Sequence, residues 1–75
     1  MESLYVGNLS WQTTEEDILS LFKQHIKVVD ARLITDRETG RSKGFAFVDV
    51  EDDEVEKAIE ALNGFELDGR SLIVN

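Results

Sequence analysis

Eight consecutive residues, Lys43-Gly44-Phe45-Ala46-Phe47-Val48-Asp49-Val50, alternate strictly in character. A period of two assigns odd and even positions to opposite faces of a β-sheet, so the segment reads as a strand with two unlike sides. Gly44, Ala46, Val48 and Val50 form a small and β-branched set suited to a core. Lys43, Phe45, Phe47 and Asp49 form the other side, where charges at both ends call for solvent. Two phenylalanines on a solvated face need a reason, because burial is the default for a large apolar ring. One reason is a flat partner, and nucleic-acid bases are the commonest.

The segment Leu4-Tyr5-Val6-Gly7-Asn8-Leu9 repeats the pattern, with Leu4 and Val6 on one face and Tyr5 and Gly7 on the other. An aromatic ring again opposes the aliphatic residues, beside a residue with no side chain to obstruct it. On these two segments the chain resembles the RNA recognition motif family. The octapeptide matches the family pattern of Lys/Arg, Gly, Phe/Tyr, Gly/Ala, Phe, Val, any residue, Phe/Tyr at seven of eight places. The hexapeptide is similar to the family's shorter motif, and the two start 39 residues apart, as one βαβ passage requires.

A chain of 75 residues makes one domain, read here as spanning 1–75 and lying near the lower limit for folding without staples. It has no Cys for disulfides or thiolate metal sites, and its single His excludes a histidine-rich one, so no metal or cofactor is expected. No apolar run reaches the length of about 20 residues that a membrane span needs, and the N-terminus lacks a signal-peptide pattern. An intracellular location is expected, cytoplasmic or, in a eukaryote, nuclear.

The net charge of -8 argues against a protein held to nucleic acid mainly by phosphate neutralisation. The charge is polarised, however. Residues 23–43 carry six bases against three acids, whereas residues 51–75 carry two bases against eight acids. The positive part leads directly into the aromatic strand.

Residues 3–8 read as a first strand. Thr14 supplies an N-cap hydroxyl and Glu15, Glu16 and Asp17 an acidic first turn, after which Ile18, Leu21 and Phe22 recur at helical spacing. This helix should end between Gln24 and Ile26. Residues 28–34 read as a second strand with Ala31 and Leu33 inward and Arg32 and Ile34 outward. A polar connection follows, containing Arg37, Gly40 and Arg41, and then the octapeptide strand. Asp52 or Asp53 should start a second helix carrying Val55, Ala58, Ile59 and Leu62, with Asn63-Gly64 as its stop. Phe65 to Gly69 contains a turn, and Ser71 to Asn75 forms the last strand with Leu72 and Val74 inward and Ile73 outward.

The order is thus βαββαβ, an α+β two-layer sandwich of the ferredoxin-like kind. Right-handed β-α-β passages place both helices on one side of a four-stranded antiparallel sheet and leave the other side open. The resemblance implies that the first and third strands are central, which would set Tyr5, Phe45 and Phe47 side by side on that open face.

The candidate RNA-binding residues are Tyr5, Phe45 and Phe47 for stacking, Lys43 and Arg32 for the backbone, and Asn8 and Asn75 for base edges. Covering of the three rings by a C-terminal extension, a partner protein or a second copy of the chain is the competing explanation. Asn8 also suits a turn bonded to local backbone. Asp49 suits a base amino group or mere solubility, and Trp11 is expected in helix or core packing, with extension of the platform as its alternative. His25 has no triad partners, and the run Glu51-Asp52-Asp53-Glu54 fits a helix N-terminus rather than a metal loop.

The chain departs from the family pattern in two places. Val50 replaces an aromatic at the end of the octapeptide, on the buried side. His25-Ile26 stands where an aromatic and Gly are common, and a β-branched Ile tolerates the left-handed conformation of a helix exit poorly. The expected function is non-enzymatic binding of single-stranded RNA by a monomer, with single-stranded DNA as a further ligand. The alternative is a protein-interaction module using its acidic helix or aromatic face. An acylphosphatase-like enzyme would need an anion-cradling loop that residues 8–13, lacking Gly and Arg, do not supply.

Overall fold

Thr14 starts the first helix through a reciprocal cap. Its hydroxyl accepts the Asp17 backbone N–H at 3.1 Å, while the Asp17 carboxylate accepts the Thr14 N–H at 3.0 Å. In the computed structural model, which describes residues 1–75, helix α1 then runs over Glu15–Lys23. It connects strands β1 (Glu2–Gly7) and β2 (Val28–Thr35), and β3 (Ser42–Val50) follows. Helix α2 (Val55–Leu62) precedes three two-residue strands, β4 (Glu66–Leu67), β5 (Arg70–Ser71) and β6 (Ile73–Val74).

The main sheet has the order β2-β3-β1-β6, and every neighbouring pair is antiparallel. Leu4, Val6, Ala31, Ala46, Val48, Val50 and Val74 project from one face of it. They pack with Ile18, Leu21 and Phe22 of α1 and Ala58 and Leu62 of α2. Full burial of such a Val, Leu, Ile or Phe side chain contributes about 1.5–3 kcal/mol. The two-layer α+β sandwich expected from the βαββαβ order is therefore present, with the inward residues that strand parity indicates. Val50 is fully buried, so the departure from the family pattern there concerns the core alone.

Local details differ from the expectations. Residues 66–71 form a separate β4–β5 hairpin, and Ser71 pairs with Glu66 rather than with the main sheet. Its turn, Asp68-Gly69, has φ values of 51° and 81°, the signs that a two-residue type I′ turn needs. The last strand of the sheet is accordingly shorter than 71–75.

The acidic run does not open an α-helix at Asp52. It forms a 3-10 turn over Asp52–Glu54, and Glu54 is 93% removed from solvent, being 7% exposed. Its carboxylate accepts the Lys27 backbone N–H at 3.1 Å and faces the Lys57 ammonium at 3.6 Å. A charge at this depth is tolerated because it has both a hydrogen bond and a counter-ion. The exit of α1 avoids the left-handed conformation, as the Ile at position 26 requires. Gln24 is right-handed, the N–H groups of His25 and Ile26 both bond to the Phe22 carbonyl, and the Ile26 side chain enters the core.

Candidate nucleic-acid interface

The register of the sheet gathers residues that are far apart in the chain. Tyr5 pairs with Phe47 across β1–β3, and Arg32 pairs with Phe47 across β2–β3. On the other side of β1, Tyr5 and Asn75 exchange both backbone hydrogen bonds, at 2.8 and 3.0 Å. Arg32, Phe47, Tyr5 and Asn75 therefore form one row across the sheet, on the face that the helices leave uncovered. Phe45 lies two positions along β3 on the same face.

Tyr5 and Phe45 stack with centroids 5.8 Å apart and planes at 29°. Phe47 stands edge-on to both, at 6.2 Å and 68° from Tyr5 and 6.0 Å and 88° from Phe45. All three rings are only partly buried. Ile73, opposite Gly7 and 46% exposed, adds an apolar rim. Planar π-faces held by a rigid sheet accept bases of any identity.

Gly7 has a more specific role than leaving the face unobstructed. A Cβ placed there would lie 2.5 Å from Cε2 and 2.7 Å from Cζ of Tyr5. The Tyr5 ring thus occupies the space above Gly7, which is buried beneath it. The sequence signal was the aromatic-x-Gly spacing on one face, and its meaning emerges from the ring orientation.

The polar residues divide between the two ends of this surface. Asp49 accepts a short hydrogen bond from the Ser3 hydroxyl, and the same carboxylate oxygen stands 3.5 Å from an Arg32 guanidinium nitrogen. Arg32 nonetheless keeps 56% of its side chain exposed. Ser3 had no sequence signal beyond its parity with Tyr5. At the opposite end, Lys43 is exposed. The backbone N–H groups of Thr39 and Glu38, which the Asp36 carboxylate accepts at 3.1 and 2.8 Å, hold that carboxyl below the usual carboxylate range, and the Lys43 charge adds to their effect.

Strict alternation in β3 stops at Gly44. Its φ of +86° and the register change between Leu33 and Thr35 mark a bulge, so parity does not orient Lys43. The bulge lets the Gly44 carbonyl accept the Leu9 N–H at 3.0 Å, tying the loop after β1 to the head of the aromatic strand.

Asn8, at φ 60°, takes part in that loop's anchoring. Its amide donates to the Ser71 carbonyl at 2.7 Å, its side-chain oxygen accepts from the Arg70 guanidinium, and its backbone carbonyl accepts Arg70 Nε at 3.2 Å. The Arg70 contribution was not evident in the sequence, because it joins residues 62 apart. Trp11 corrects the expectation of a packing role, since 75% of it is exposed. The core places on either side of it in the loop are taken by Leu9 and Thr13, which are 3% and 1% exposed.

The model of the RNA recognition motif family matches residues 4–73. The chain belongs to that family. Among relatives of this RNA recognition motif, the glycine-rich RNA-binding protein blt801 of Hordeum vulgare is 49% identical over 72 residues, covering 95% of this chain and 45% of the relative. The chloroplastic 29 kDa ribonucleoprotein of Arabidopsis thaliana is 53% identical over 73 residues, covering 96% and 21%. The chain thus spans less than half the length of these relatives. The crystal structure of RNA binding protein PG1 superposes with a TM-score of 0.89 at 49% identity, covering 97% of this chain and 89% of that one. The structure of the Rna15 motif with bound RNA (GU) gives 0.85 at 34% identity, covering 97% and 79%.

Proposed function

We propose that residues 1–75 act as a single, monomeric RNA-binding unit, non-enzymatic, that stacks two or three bases of single-stranded RNA on Tyr5, Phe45 and Phe47. The observation that carries this reading is the clustering of three partly exposed rings, with centroids 5.8–6.2 Å apart, on the uncovered face. Family membership and the likeness to a solved motif carrying RNA support it. Lys43 contacts the phosphate backbone from the basic end. Arg32 and Asn75, flanking the Phe47–Tyr5 pair, contact a phosphate or base edge from either side. Asn8 acts through the loop it anchors, since both ends of its amide already have partners.

The net charge of -8 places most of the binding energy on stacking rather than on phosphate contacts. An intracellular address belongs to this reading, and an organelle is within its scope because relatives named chloroplastic are about half identical. Titration with short RNA pools at low salt tests the proposal, with single-stranded DNA as competitor. A double variant, Phe45→Ala with Phe47→Ala, that binds as tightly as the parent protein would sink it.

A further inference from the structure

Strand β2 forms one edge of the main sheet, with β3 on its inner side and no strand on its outer side. Its eight residues, Val-Val-Asp-Ala-Arg-Leu-Ile-Thr, include four β-branched ones and only two charges, of opposite sign. Such an edge is a template on which another chain can pair, because its outward N–H and C=O groups lack a ladder. We propose that the β2 edge is a pairing surface for a second copy of this chain, held shut by the carboxylates of Glu15 and Asp30. The edge lies apart from the three rings, so its role is independent of what the aromatic face binds.

Ala31 and Leu33 share one parity, so their N–H groups point to the same side of the strand. Both are occupied from within the chain. Asp30 accepts the Ala31 N–H at 2.9 Å, and Glu15, reaching across from α1, accepts that of Leu33 at 2.9 Å. Just ahead of the strand, the Lys27 N–H goes to Glu54. The opposite edge of the sheet is closed in the same manner, since β6 has only two residues and the Asn63 side-chain oxygen accepts the Val74 N–H at 3.0 Å. A donor bonded to a carboxylate gains little from an incoming carbonyl, because bonds to an ionised acceptor are the stronger.

A second copy suits this edge in one register. Antiparallel pairing centred on Ala31 uses the outward groups of residues 29, 31 and 33, which include the two donors that Asp30 and Glu15 hold. It sets Asp30 of each copy opposite Arg32 of the other, and Val29 opposite Leu33. Centring on Arg32 instead would place like charges face to face, which is unfavourable. Val29, at the register shift between Val28 and Asp30, is 51% exposed and offers an apolar contact to such a neighbour.

Sedimentation over a concentration series measures the mass, and the parent protein should remain a single chain. Glu15→Ala frees the Leu33 N–H and should double the mass as concentration rises. Glu15→Asp keeps the acidic first turn of α1 but falls a methylene short of Leu33, and it should follow at higher concentration. Glu15→Gln keeps an acceptor, and Glu16→Ala removes the same charge from the same helical turn, so both should stay single. In the Glu15→Ala dimer, amide exchange at Ala31 and Leu33 should slow by roughly tenfold or more relative to the dilute variant. Adding Arg32→Glu, which meets Asp30 with a like charge, should return that variant to a single chain. Glu15→Ala and Glu15→Asp proteins that fold, as dispersed amide spectra show, yet keep the parental mass at every concentration would overturn the proposal. So would association that Glu16→Ala reproduces, or that leaves Ala31 and Leu33 exchanging as they do in the single chain.

Discussion

The ring of Tyr5 lies over Gly7, in the space a side chain at position 7 would fill. Two residues apart on one face of β1, they form a single unit: one supplies a π-surface and the other lets it lie down. Introducing a Cβ at 2.5 Å from Cε2 forces the ring to move. Gly7→Val should therefore weaken RNA binding by about 1–3 kcal/mol, the range for losing one stacked base, while the fold survives. Isothermal titration beside a thermal melt checks this, and an unchanged affinity would show that the Tyr5 orientation is unimportant.

Phe45 and Phe47 are partly exposed, so their truncation removes open-face surface more than core. Each single alanine variant should lose about 1–3 kcal/mol of RNA affinity. Because the rings touch, their effects should not add cleanly. A double-mutant cycle read by fluorescence anisotropy measures both the losses and the coupling.

Electrostatics should be the minor component of affinity. With about one to three phosphate contacts, log affinity against log salt should fall with a slope of about -0.7 to -2. Titrations across a range of KCl concentrations give the slope directly. A much steeper line would mean that the basic hairpin engages more than about three phosphates.

Glu54 offers a test of stability away from the aromatic face. Glu54→Ala leaves the Lys27 N–H without its partner and should cost about 1–3 kcal/mol in urea unfolding. Glu54→Gln keeps an acceptor and should lose less. Equal losses from the two variants would place the contribution in the carboxylate charge and Lys57 rather than in the hydrogen bond.

The hairpin should loosen in acid. The Asp36 carboxyl titrates below its ordinary value of 3.8 because the Thr39 and Glu38 N–H groups bond to the ionised form. Its contribution is present above 3.8 and is lost as the pH falls through the lowered folded value. Amide exchange at Glu38 and Thr39 should accelerate relative to the β1–β3 ladder below that point, and Asp36→Asn should flatten the dependence. Parallel loss of protection throughout the sheet would assign the change to global unfolding instead.

Much of this architecture is visible in local patterns. The period-two runs at Leu4–Val6 and Phe45–Val50 identify the core side of each strand, and Thr14 with Asp17 announces the start of α1. Where these readings stop, a distant partner has intervened. Gly44 leaves the alternation because its carbonyl meets Leu9, and Glu54 is buried because it meets Lys27. Ser71 joins a hairpin with Glu66, and Asn8 is drawn to Arg70. Trp11 lies outside because Leu9 and Thr13 already occupy the nearby interior.

The amino-acid sequence by itself determined which segments form strands and helices and which side of each seeks the core. It also determined that the rings of Tyr5, Phe45 and Phe47 face away from that core, since periodicity and capping act over a few neighbouring residues. Only the tertiary structure decided that Arg32, Phe47, Tyr5 and Asn75 share one row, and that Trp11 stays exposed. Row membership depends on the register between strands distant in the chain. Exposure depends on competition for a limited interior volume, and neither is encoded in any short stretch of residues.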